Sequence, residues 1–100
     1  MKEALVFKVY DLTGVVQGVG LRATIRWLAN QAEIGGWVQN RTGIVRMQLE
    51  GDATSLAAFV RELPNHLPSG ARIDKIYEIR SGVLPSDTLP QPFHVMSTGW

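Results

Sequence analysis

Apolar positions change their period along this chain, and the changes mark out its elements. From Leu5 to Leu12, Leu5, Phe7 and Val9 fall on one side of an extended run, while Val6, Tyr10 and Leu12 leave the other side mostly apolar too. A strand apolar on both faces belongs near the middle of a sheet. Between Leu21 and Glu33 the period lengthens, with Ile25, Leu28, Ala29 and Ala32 at i, i+3, i+4 and i+7. That spacing predicts a helix burying one stripe, with Arg26, Trp27, Asn30 and Glu33 on its other side. Gly35-Gly36 predicts the helix end, since glycine readily takes the left-handed conformation there. Trp37 to Asn40 and Ile44 to Glu50 read as strands joined by a tight hairpin at Arg41-Thr42-Gly43. In the second of these, Val45, Met47 and Leu49 alternate with Arg46, Gln48 and Glu50, so one face should be wet.

Gly51-Asp52 breaks that strand, and Asp52 suits the N-cap of a second helix. Its stripe reads as Leu56, Ala57, Val60 and Leu63, with Phe59 at the margin and Pro64 as the stop. After a turn at Pro68-Ser69-Gly70, Ala71 to Arg80 reads as a strand whose broken alternation between Ile73 and Ile76 predicts a bulge. Ser81 to Pro92, with three prolines and a glycine, reads as a loop, and Phe93 to Met96 as a short fifth edge strand. The order suits an α+β sandwich with both helices packed on one face of a four- to five-stranded antiparallel sheet.

Composition narrows the function classes. One hundred residues, 45% of them hydrophobic, fit a single domain over residues 1–100. The absence of cysteine excludes disulfides, thiolate metal sites and a thiol nucleophile. Ten basic against nine acidic residues, with no basic run, argue against nucleic acid as a partner. Met1-Lys2-Glu3-Ala4 lacks the apolar core of a signal peptide, and no apolar stretch approaches a membrane span. A cytoplasmic domain with no membrane partner is expected. His66 and His94 lack ligand-spaced neighbours, so no metal site is expected. The serines lack a nucleophile-elbow context, and Trp37 is expected in the core.

The candidate chemistry lies in Gly14-Val15-Val16-Gln17-Gly18-Val19-Gly20-Leu21-Arg22, between the first strand and the first helix. Its three glycines let the backbone curl and bring several N–H groups to one spot at the positive end of a helix. Arg22 falls where loop becomes helix, so its guanidinium can close the cradle. No Gly-Lys-Ser/Thr follows, and the glycine spacing is not that of a dinucleotide fingerprint. Local chemistry alone therefore indicates a small anion and leaves the rest open.

These residues resemble the signature of the acylphosphatases. The likeness runs through the glycine loop and Arg22, Ala29, Gly35-Gly36-Trp37-Val38-Gln39-Asn40, Gly43-Ile44-Val45, Leu49-Glu50-Gly51, Pro68-Ser69-Gly70-Ala71-Arg72-Ile73 and Phe93-His94-Val95. The resemblance implies a ferredoxin-like sandwich that hydrolyses a small-molecule acyl phosphate to a carboxylate and inorganic phosphate, as a monomer and without metal or cofactor. Inorganic phosphate or sulfate would bind the same place. By the same resemblance, the amides of Gln17, Gly18, Val19, Gly20, Leu21 and Arg22 bind the phosphate, with the Arg22 guanidinium. Asn40 would position the attacking water.

Three positions depart from the pattern. Leu21 stands where the family usually has phenylalanine, Leu67 replaces a glycine, and the turn between Asn40 and Gly43 is one residue short. A shortened turn can shift register, which would move Asn40 relative to Arg22. Gly20 and Ala71-Arg72-Ile73-Asp74 also resemble the N-terminal domain of hydrogenase-maturation carbamoyltransferases, which implies carbamoyl phosphate as an alternative substrate. A non-catalytic ferredoxin-like binding module is the reading from another class.

Overall fold

The computed structural model describes residues 4–99. Met1 to Glu3 and Trp100, and with them most of the N-terminal segment considered above, lie outside the described residues. The chain runs β1 (Leu5–Val15), α1 (Leu21–Gln31), β2 (Gly35–Arg41), β3 (Ile44–Asp52), α2 (Ala53–Glu62), a 3-10 turn (Leu63–His66), β4 (Arg72–Val83) and β5 (His94–Val95). The sheet order is β4-β1-β3-β2-β5, the ferredoxin-like arrangement expected from the element order. Both helices pack on one face of this sheet, over the central strands.

The core lies between helices and sheet. Leu12, Val38, Val45, Met47 and Leu49 from the strands meet Leu21, Ile25 and Ala29 of α1 and Leu56 and Phe59 of α2. Strand β3 alternates as expected, with Val45, Met47 and Leu49 buried and Arg46, Gln48 and Glu50 half-exposed. Phe59 is a core residue and Ala57 is exposed, so the stripe of α2 is Leu56, Phe59, Val60 and Leu63. That set still obeys i, i+3, i+4 and i+7.

Other expectations change. Strand β1 continues through Gly14 to Val15, so the connecting loop begins at Val16. Gly14 serves strand packing: a Cβ there would lie 2.2 Å from the Arg72 carbonyl oxygen of β4. The first helix ends without glycine. Ile34 N–H reaches Ala29 O at 2.8 Å across Glu33, which holds the left-handed conformation at φ 57, the geometry of a Schellman cap. Gly36 sits within β2, where a Cβ would strike the Gln48 carbonyl.

Strand β4 also runs past Arg80, pairing Ser81, Gly82 and Val83 with Lys8, Phe7 and Val6, and the Phe7 ring lies over Gly82, leaving no room for a side chain there. Its register against β1 skips Asp74, within the predicted bulge, and again skips Ile79. The antiparallel expectation holds for β1 to β4 and fails at β5, which pairs with β2 in parallel. The connection after β4 causes this. Leu84 N–H still bonds Leu5 O, and Pro90 and Gln91 then cross against Gly35 at the start of β2. The chain therefore enters beside β2 running the same way.

Candidate active site

The loop from Val16 to Gly20 is shaped by two left-handed glycines, Gly18 at φ 73 and Gly20 at φ 79. A Cβ on either would meet nothing within 4 Å, so backbone conformation, and not space, calls for glycine here. Gly20 is the N-cap of α1 and offers no side-chain oxygen, and no acidic residue stands in the first turn. The first helical hydrogen bond is Thr24 N–H to Gly20 O at 3.2 Å. The amides of Leu21, Arg22 and Ala23 thus have no intrahelical acceptor and lie at the positive end of the helix dipole.

A cavity of about 340 Å³ opens over this turn, lined by Gly18, Gly20, Arg22, Arg26 and Val95 among others. No ion-pair partner is recorded for Arg22 among the described residues. Amides without an intrahelical acceptor, a helix N-terminus and a guanidinium with no ion-pair partner among the described residues are the groups an anion cradle calls for. Leu21, at the phenylalanine position, is 1% exposed and points into the core, so its departure from the pattern is a packing matter. Among the described residues no group of three or more His, Cys, Asp or Glu side chains could hold a metal. His66 and His94 are both exposed.

Asn40 does not line this cavity. It lies on β2 opposite Val45, on the helix-covered face. Its Oδ1 is buried and meets no hydrogen-bond donor among the described residues. A buried acceptor left unpaired costs about 1–3 kcal/mol, so such atoms are rare unless a water or ligand uses them. The short turn leaves the register intact: β2 and β3 pair without slip from Gly35↔Glu50 to Arg41↔Ile44. Gly43, at φ 73, supplies the left-handed residue of the turn.

Gln17 connects the two places. Its Nε2 donates to Arg41 O at 2.6 Å and to Ile44 O at 2.8 Å, strapping the glycine loop to the hairpin beside Asn40. Sequence reading assigned Gln17 only its backbone amide. The side-chain role spans 24 and 27 residues, and no local pattern carries it. Arg26, placed on the polar side of α1, also lines the cavity; its i+4 spacing from Arg22 was the available signal. Asn30 was missed likewise: its amide accepts from Phe93 N–H at 2.9 Å and donates to Phe93 O at 3.3 Å, holding β5 and so the cavity wall at Val95.

The profile of the Acylphosphatase family matches residues 8–88. An acylphosphatase of Geobacter metallireducens is 39% identical over 69 residues, 68% of this chain and 73% of that protein. Carbamoyltransferase HypF2 of Cupriavidus necator is 39% identical over 67 residues, 67% of this chain but 8% of that much longer protein. Among solved structures, the crystal structure of acylphosphatase from Bacillus subtilis superposes with a TM-score of 0.73 at 27% identity, covering 92% of this chain and 98% of that one. This chain belongs to the acylphosphatase family. The relatives of similar length support acylphosphatase activity at the level of the family. No helix of the described residues is long and apolar enough to cross a membrane.

Proposed function

We propose that this chain hydrolyses an acyl phosphate to a carboxylate and inorganic phosphate, with the amides of Gln17 to Arg22 and the Arg22 guanidinium holding the phosphate and Asn40 orienting the water. The observation that carries the reading is the buried, unpaired Oδ1 of Asn40 on the hairpin that Gln17 straps to the cradle. A neutral amide suits the task, since Oδ1 accepts a hydrogen bond from water while Nδ2 remains a donor.

The reaction asks little else of the protein. The water oxygen forms a bond to phosphorus as the bond from phosphorus to the acyl oxygen breaks. The electron pair leaves on the carboxylate, and the water proton passes to a phosphate oxygen. A carboxylate departs readily, so positioning and charge stabilisation supply most of the acceleration. The amides and Arg22 neutralise the equatorial oxygens, and Arg22 offers a bidentate fork.

Hydrolysis of benzoyl phosphate by the purified chain, beside Arg22→Ala and Asn40→Ala, tests this. Turnover by the parent and a loss of about a hundredfold or more in either folded variant support it. A folded parent no faster than Asn40→Ala would leave a phosphate-binding module without water positioning. The 39% identity to carbamoyltransferase HypF2 favours one second reading, with a carbamoyl group as the acyl moiety. A clear preference for carbamoyl phosphate over benzoyl phosphate would select it.

A further inference from the structure

We propose that the helix-free face of the sheet carries a second binding site, for a nucleoside phosphate. A trough of about 420 Å³ crosses this face from β4 to β2, within the size range of small-molecule sites. Its floor is Val9, which is 1% exposed although no helix covers it. The register places Arg80, Val9, Gln48 and Trp37 in one row across four strands. Trp37 and the bulged Ile79, itself 46% exposed, give the trough apolar walls. Sequence reading placed Trp37 in the core, whereas it stands on this face.

Three guanidiniums line the same trough, and their charges are not equally compensated. Arg46 is neutralised by Asp11, through bonds of 2.7 and 3.0 Å. Among the described residues the Arg41 guanidinium donates to the uncharged Gln39 Oε1, at 3.1 Å, and meets no acidic side chain. Arg80 has no acidic partner among the described residues. Among the described residues, therefore, two positive charges without an acidic partner share a cavity with an indole and an aliphatic wall. The complementary ligand carries two or more negative charges and a flat apolar group, in a volume of that order. Nucleoside di- and triphosphates combine these, with the base against Trp37 and phosphate oxygens on Arg41 and Arg80.

A single strand of nucleic acid fits less well. Strand β3, central to this face, presents Arg46, Gln48 and Glu50 instead of aromatic rings, so successive bases have no stacking platform. The trough shares no lining residue with the cavity at the glycine loop, which makes the two sites separable.

The test is titration of the purified chain with ADP, without metal, by calorimetry and tryptophan fluorescence. Saturable one-to-one binding is expected, retained in Arg22→Ala and weakened about tenfold or more by Arg41→Ala and by Arg80→Ala. Trp37→Phe should remove the fluorescence change while calorimetry still detects binding. Hydrolysis of benzoyl phosphate at the parent rate shows that Arg80→Ala is folded, and Arg80→Gln serves if it is not. Three results would overturn the proposal. The first is no saturable binding up to millimolar ADP. The second is binding lost in Arg22→Ala and kept in Arg80→Ala, which places the nucleotide's phosphates in the glycine loop. The third is tighter binding of an oligodeoxythymidine than of ADP.

Discussion

Helices α1 and α2 each follow a central strand, yet their first turns are built on different terms. Asp52 caps α2 from an extended conformation: its Oδ1 accepts from Ser55 N–H and its Oδ2 from Ser55 Oγ, both at 2.8 Å. Gly20 opens α1 in the left-handed conformation with no side-chain cap. One turn supplies its own carboxylate, and the other has no side-chain acceptor, so that on the function proposed above its donors serve an outside anion. Glycine at an N-cap gives up only about a few tenths of a kcal/mol against aspartate, so leaving the first turn of α1 without a side-chain cap costs the fold little. The same fold thus holds a helix start capped by its own side chain and one left without a side-chain cap.

The sharpest way to break the contrast is to give α1 a carboxylate of its own. Gly20→Asp should lower kcat/KM for benzoyl phosphate by about a hundredfold, because its charge occupies the field meant for the substrate. Steady-state kinetics on the folded variant decide this. Inorganic phosphate should stabilise the parent by about 2.7 kcal/mol at a hundred times its dissociation constant. Thermal melts should show most of that shift missing in Arg22→Ala and present in Asp52→Ala.

At the other helix, Asp52→Ala should cost about 1 kcal/mol in urea unfolding and leave kcat/KM unchanged. The smallest effect belongs to the far end of α1. Glu33→Gly removes the strain of a side chain at φ 57 and should stabilise by about 0.5–1 kcal/mol, the greater flexibility of the unfolded chain offsetting part of the gain. A lower urea midpoint in that variant would mean that the Glu33 side chain contributes more than its backbone costs.

Elements set by local periodicity were legible from sequence. The dry and wet faces of β3, the Asp52 cap and the break in β4 near Asp74 all follow from residue spacing. Whatever depended on a distant partner was not. Gly82 reads as the start of a loop until the Phe7 ring is placed over it, and the direction of β5 depends on where residues 84–93 cross the sheet. Phe59 and Trp37 were misplaced because an apolar side chain does not announce which layer it joins. At the candidate site, the glycines and Arg22 stand out as a local motif. The Gln17 strap and the burial of Asn40 Oδ1 arise only when loop and hairpin meet.

The two rims of the sheet are guarded by different means. On the β4 side, two bulges and the charged Arg72, Asp74, Lys75 and Arg80 spoil the rim as a template for another strand. On the β2 side, protection comes from the tail: β5 pairs there, Met96 N–H bonds Val38 O, and Gly99 N–H bonds Asn40 O. That second guard is held to the molecule by the buried Phe93 ring, the Asn30 side chain, the Gln39 amide on Ser97 O and a two-residue strand. Peeling it away would bare a row of unpaired amides and carbonyls along β2, so a propensity to self-assemble into aggregates is expected to originate at that rim.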